Sequence, residues 1–382
     1  MKPLFEKWVL PWMATGLVMS MHAEPLPVFV GTYTGPKSEG IYAFTFDPET
    51  GKATPRGLVA KSVNPSFLAV HPSGRFLYAA NETDRWKGTP GGYVTSFSIS
   101  PTDSGLRELN QQSSGGAAPC FVSVDATGKN LLVANYFGGS VACLPIQTDG
   151  ALKSRSAFDQ HRGSSVDPQR QKEPHAHSIY PSPDNRFALS ADLGLDQVLV
   201  YRLDPAAGTL TPNTPPFARV APGSGPRHLA FAPDGRHLFV INEMLSTLTS
   251  MSYDPAAGTL QEIQTVSTLP TGIARPDTST AQVCVHPNGR FVYGSNRGDD
   301  SIAVLSVEPG GRLKWVERVS TQGKVPRNFQ IDPTGHYLWA ANQNSDSIVL
   351  FRVDGATGKL TPTGQTLSVG SPVCVVFAPR PH

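Results

Sequence analysis

Apolar residues along this chain come in short runs of about six, each ending on Asn or Asp. The runs FLYAAN, NLLVAN, FALSAD, HLFVIN, FVYGSN and YLWAAN end at residues 81, 135, 192, 242, 296 and 342. A turn precedes each of them: HPSGR (71–75), DATGK (125–129), SPDNR (182–186), APDGR (232–236), HPNGR (286–290) and DPTGH (332–336). Ahead of every turn lies another apolar run, as in NPSFLAV, APCFVSV, GPRHLAF and VPRNFQI. Aromatic and β-branched residues on both sides of a Gly-containing turn predict an antiparallel hairpin. A second hairpin follows in each unit, with its turn at DPETGK (47–52), DPAAGTL (204–210 and 254–260) or DGATGKL (354–360). No helical period competes with this pattern.

Four strands recurring roughly every fifty residues predict the blades of a β-propeller. Six units are complete and a remainder is left over. SPVCVVFAP at the C-terminal end matches a first strand with no second after it. PVFVGTY near the start matches a second strand with no first before it. Joined in space they complete a seventh blade, which removes the free sheet edges. The expected architecture is all-β: one seven-bladed propeller over residues 24–382, closed by strands from both chain ends.

Residues 1–23 follow another pattern, with two lysines, the apolar run WVLPWMATGLVMS, and Ala23 before Glu24. This predicts a secretory signal peptide, since the run is too short to span a bilayer. The expected location is therefore periplasmic or secreted, with no membrane association after cleavage. Export makes the four cysteines, Cys120, Cys143, Cys284 and Cys374, candidates for disulfides. Three of them fall in the first strand of separate units, so buried free thiols are the expectation. The net charge of +2, with 16% charged residues and no basic block, leaves nothing for nucleic acid to bind.

The start of each first strand and the end of each second strand lie at one end of the channel, here called the top. Aligned on the turns, the first strands place Ser66, Cys120, His177, Arg227, Ala281, Arg327 and Val373 at one position. The second strands place Tyr33, Glu82, Tyr136, Leu193, Glu243, Arg297 and Gln343 at another. A packed channel calls for small or apolar residues there, yet one His, three Arg and two Glu appear. Such groups cost free energy unless they pair or bind something. A ring of structural salt bridges is the alternative to a site. The unequal connections at 83–92, 159–174 and 269–280 also fall at the top, where loops usually build function.

The motifs GTYT, NPSFLAVHP, ANYFGGSV, RQKEPHAHS, ADLGLD, GPRHLAFAPDGR, INE, FVYGSNRGDDSIAVL, PRNFQIDPTG and SPVCVVFAP resemble the seven-bladed lactonase family. That family includes propeller-type 6-phosphogluconolactonases and the 3-carboxy-cis,cis-muconate lactonizing enzyme. The resemblance spans about residues 27 to 379 and implies a small lactone as substrate, with no cofactor. By motif position it implies His177, Arg227, Glu243 and Arg297 as catalytic residues.

Histidine suits activation of water near neutral pH. His177 is thus expected as general base, with Glu243 orienting it or exchanging acid and base roles with it. Arg227 and Arg297 are expected to hold the carbonyl oxygen or an attached anion. Arg327, Arg170, Gln171, His175 and Glu82 are further candidates for substrate binding. All but Arg327 have a structural alternative: loop anchoring for Arg170 and Gln171, support for His175, and pairing with a rim Arg for Glu82.

Two other readings of the same residues stand beside this one. His175 and His177 could begin a metal site with Asp192, but zinc wants a third or fourth ligand, and Asp192 stands where other units carry a structural Asn; no metal is expected. The propeller could also be a non-catalytic platform, which a broad apolar patch on the top face would favour. Lactone formation, as in the muconate enzyme, would use the same residues as hydrolysis.

Overall fold

A computed structural model of the chain describes residues 25–270 and 277–379. The signal-peptide expectation therefore lies outside the described residues, as does 271–276 of the connection 269–280. Seven four-stranded antiparallel sheets make up the molecule, with one small extra hairpin. The inner strands are Pro65–Val70, Pro119–Val124, Ala176–Pro181, Pro226–Phe231, Ser279–Val285, Pro326–Ile331 and Pro372–Phe377. Each packs against the inner strand of the next blade, and Pro372–Phe377 closes the ring against Pro65–Val70. The last strand pairs with Leu26–Thr32, followed outward by Gly40–Asp47 and Lys52–Lys61, so both chain ends build the seventh blade as expected.

The core lies between neighbouring blades rather than at one centre. Trp339 and Tyr337 of the sixth blade meet Phe44 and Phe46 of the seventh, edge to face at 5.3 to 5.9 Å. Comparable apolar clusters fill the other blade junctions. The Asn that ends each second strand is fully buried. In four blades its amide ties the strand end to the segment arriving from the preceding blade's outer strand: Asn81 Nδ2 donates to Val63 O at 2.6 Å, and Asn296 Nδ2 to Thr268 O at 3.1 Å, with Asn135 and Asn342 bonded likewise. These four satisfy backbone, as repetition implies, whereas Asn242 Nδ2 donates to the Thr247 and Thr249 hydroxyls. All four cysteines are buried and unpaired. No helix among the described residues is long and apolar enough to cross a membrane.

One irregularity recurs in every blade and decides what the channel mouth carries. Between the inner and second strands the register slips at the very start of the inner strand. Pro226 faces Asn242 and His228 faces Ile241, which leaves Arg227 with no partner. The same β-bulge skips Ser66, Cys120, His177 and Arg327. A bulged residue leaves the ladder and its side chain is re-aimed. In five blades the residue before the inner strand also has a left-handed backbone: Asn64, Ala118, Gly225, Val325 and Ser371.

Candidate active site

The bulge delivers one rim residue per blade, and the end of the second strand delivers the other. The backbone of that second residue is pinned to the residue that precedes the inner strand of its own blade. Glu243 N donates to Gly225 O at 2.7 Å, Glu82 N to Asn64 O at 3.0 Å and Tyr136 N to Ala118 O at 2.8 Å. A cavity of about 230 Å³ opens between these positions, lined by Glu82, Cys120, Tyr136, Phe137, Arg170, His177, Glu243, Arg297 and Arg327. Six of the nine residues proposed from sequence thus line one cavity.

Glu243 is the hub. Its Oε2 accepts from Arg227 Nε at 3.1 Å and pairs with Arg297 Nη2 at 2.9 Å, while Oε1 accepts from Arg170 Nη2 at 2.8 Å. Burial works against its charge, but the Arg297 and Arg227 guanidiniums outweigh it and hold the carboxyl well below the usual range. Glu243 is therefore ionised with both oxygens engaged, which departs from the expectation of an acid/base partner for His177.

Arg227 differs from expectation as well. It does not line the cavity but lies behind Glu243, where Nη1 donates to Ala281 O at 2.6 Å. Burial, then Arg327 and Arg297, push its pKa down to about 9. Its place is that of a positioning residue for Glu243. Arg297 does line the cavity; Nη2 reaches Thr280 O at 2.8 Å, and its buried Nε has no partner among the described residues.

His177 presents its ring between Tyr136 and His228, edge to face at 5.3 and 5.2 Å. Nδ1 lies 3.6 Å from Cys120 Sγ. Burial first, then Arg227 and His228, hold its pKa well below the ordinary histidine value, so the imidazole is neutral at pH 7. His228 went unnoticed in the sequence. It sits one residue past the bulge, below His177, with Nδ1 2.5 Å from Gln282 Oε1. Together with Phe67 and Phe121 it fills the channel beneath the cavity. The only signal for it was a second polar residue, directly after Arg227, in the GPRHLAF run.

The remaining candidates divide. Arg170 spans the mouth from its loop, also reaching Tyr136 Oη at 3.1 Å, and is half-exposed. Gln171 is fully buried and spent on its own loop: Nε2 donates to Leu193 O at 2.8 Å and Oε1 accepts from Asp167 N at 3.1 Å. It anchors rather than lines the cavity. His175 likewise stacks on Tyr136 at 4.6 Å, with Nδ1 3.1 Å from Tyr136 O, and holds that ring from behind. Glu82 pairs with a rim Arg only through a tyrosine: Tyr33 Oη donates to Glu82 Oε2 at 2.9 Å and accepts from Arg327 Nη2 at 2.9 Å.

Asp192 Oδ2 is 2.6 Å from Nδ1 of buried His161, and its Oδ1 accepts from His175 N. It is committed to those partners rather than to a metal, and among the described residues no group of three or more His, Cys, Asp and Glu could hold one. The large exposed apolar side chains at the top, Val63, Phe137, Val166 and Leu245, sit on four separate connections.

A propeller that gathers a neutral His, an ionised Glu and several Arg in one blind cavity defines a site for a small polar molecule. The family model of the lactonase seven-bladed β-propellers matches residues 27–377, and the chain belongs to that family of lactone-hydrolysing enzymes. A 6-phosphogluconolactonase of Bacillus subtilis is 39% identical over 350 residues, covering 91% of this chain and 97% of its own. A 6-phosphogluconolactonase of Formosa agariphila is 33% identical, over 90% and 96%. The solved structure of a periplasmic gluconolactonase of Pseudomonas aeruginosa superposes with a TM-score of 0.87 at 36% identity, covering 94% of this chain and all of that one.

Proposed function

We propose that the protein hydrolyses a small polyhydroxylated lactone in the top cavity, with His177 as general base. The observation that carries this reading is a neutral, cavity-facing imidazole beside a carboxylate held ionised by three guanidiniums. Water bound against His177 gives up a proton to the ring as its oxygen attacks the lactone carbonyl. Arg297 and Arg170, which both line the cavity, stabilise the developing oxyanion. When the ring C–O bond breaks, protonated His177 returns the proton to the leaving alkoxide. The products are one hydroxyl and one carboxylic acid, which then ionises to solvent. Glu243 takes no proton in this scheme; it fixes the guanidiniums and steadies the transient imidazolium.

The relatives named for lactone hydrolysis support the reaction class. The N-terminal segment and the periplasmic relative together support export, which fractionation of expressing cells with detection of the mature N-terminus would test.

The decisive experiment is His177→Ala, which removes the base and leaves the Arg–Glu cluster intact. Acid release from aldonolactones at fixed pH, corrected for spontaneous opening, is expected to fall about 100-fold or more with the melting temperature preserved. Glu243→Gln is expected to lose most turnover as well. Near-full activity in both variants would reject the assignment.

A further inference from the structure

Opposite the Glu243 cluster, the cavity has a second wall of different electrical character. Arg327 donates from Nη2 to Tyr33 Oη at 2.9 Å, and Tyr33 Oη donates to Glu82 Oε2 at 2.9 Å. The Arg327 guanidinium also lies over the Tyr33 ring, 5.3 Å from its centroid. Glu82 comes from the first blade, Arg327 from the sixth and Tyr33 from the seventh, so the tyrosine bridges two residues on the same wall. Among the described residues each partner makes a single side-chain hydrogen bond, the one to Tyr33. Glu82 Oε1 and the remaining N–H groups of Arg327 are left for whatever fills the cavity.

We infer that Glu82, Tyr33 and Arg327 form a hydroxyl-recognition subsite that selects an unphosphorylated polyhydroxy lactone. A hydroxyl both donates and accepts, so neighbouring hydroxyls satisfy a carboxylate oxygen and a guanidinium N–H side by side. A phosphate monoester carries close to two negative charges at pH 7 and only accepts. It would gain from Arg327 but meet Glu82 with like charge and no donor to offer it. The opposite wall has three guanidiniums on one carboxylate and suits the carbonyl oxygen and the carboxylate product. The two walls therefore orient the substrate: carbonyl toward His177 and Arg297, hydroxyls toward Glu82 and Arg327. Tyr33 is the positioning residue that keeps the acid and base of the second wall at a fixed spacing.

This inference rests on the lactone-hydrolase reading, and the experiment separates the two. D-Glucono-δ-lactone and its 6-phosphate are compared on the wild-type chain, on Glu82→Gln and on Tyr33→Phe, with melting curves for each. The wild type is expected to favour the neutral lactone in kcat/KM by at least about tenfold. Glu82→Gln is expected to close most of that gap, chiefly by lowering KM for the phosphorylated substrate. Tyr33→Phe leaves both charges in place. It is expected to raise KM for the neutral lactone with a smaller effect on kcat, and not to help the phosphorylated one. Equal or better use of the phosphorylated lactone by the wild type would overturn the inference while leaving the hydrolase reading intact. So would a preference in Glu82→Gln that stays within about twofold of wild type. Hydrolysis of neither lactone by the wild type would bring down both.

Discussion

The charge state of His177 follows from where its ring lies. Buried between two aromatic neighbours and close to Arg227, it binds a proton far less readily than a free histidine. As the proposed base it works only when deprotonated, so kcat/KM should hold its plateau down through pH 6.5 and fall only well below it. A pH–rate profile with its acid limb at or above 6.5 would contradict this. His228 is depressed for the same reason, so the unfolded chain takes up protons that the folded one refuses. Stability present above about pH 6.5 should therefore be lost progressively as the pH falls, which denaturant titrations at several pH values would show. Arg227→Met tests the positioning role. It removes one partner of a buried ion pair and should cost roughly 3 kcal/mol of stability, with turnover lost through a displaced Glu243.

At the scale of elements, the loop that carries Arg170 is the least propeller-like part of the site and depends on anchors. Ser165 Oγ donates to Asp196 Oδ2 at 2.6 Å, Gln171 holds Leu193 O, and His161 bridges Asp192 to Tyr201. A side chain on Gly194 would collide with the Glu173 carbonyl, so the loop also needs that residue bare. His161→Ala leaves buried Asp192 short of a partner, a loss of about 1 to 3 kcal/mol. Amide exchange over 161–175 should rise, and KM should rise with it because Arg170 loses its seat. Unchanged exchange in that loop would show that the other anchors suffice. The Asn at the strand ends was readable as structural because it repeats. Asp192 broke the repeat, and the reason, its pairing with His161 from a different connection, lay beyond any local pattern.

At the scale of the whole molecule, closure is the weak point that the sequence announces. The inner strand Pro372–Phe377 seals the ring and seats against the first blade. Truncation after Gly370 should leave the seventh blade three-stranded, with Leu26–Thr32 as a newly unpaired edge. The expected result is an aggregating or monomer-unstable product in size-exclusion chromatography, against a discrete species for the full chain. A discrete, cooperatively melting truncation product would mean that six blades and a three-stranded remnant hold by themselves.

Short apolar runs, Gly turns and the split final repeat were enough to count seven blades and to place His177, Arg227, Glu243 and Arg297 on one rim, because strand period and turn chemistry are local properties. Alignment of the repeats could say that these residues are equivalent. It could not say that a β-bulge lifts each first-strand residue out of the ladder, since a bulge is defined by the partner strand. Nor could it separate Arg227, which backs Glu243, from Arg297, which faces the cavity. It gave no hint that Glu243 is saturated by three guanidiniums or that Tyr33 joins Glu82 to Arg327, and it left Gln171 open between substrate contact and loop anchor. Those distinctions depend on distances between blades remote in sequence, and only the closed ring sets them.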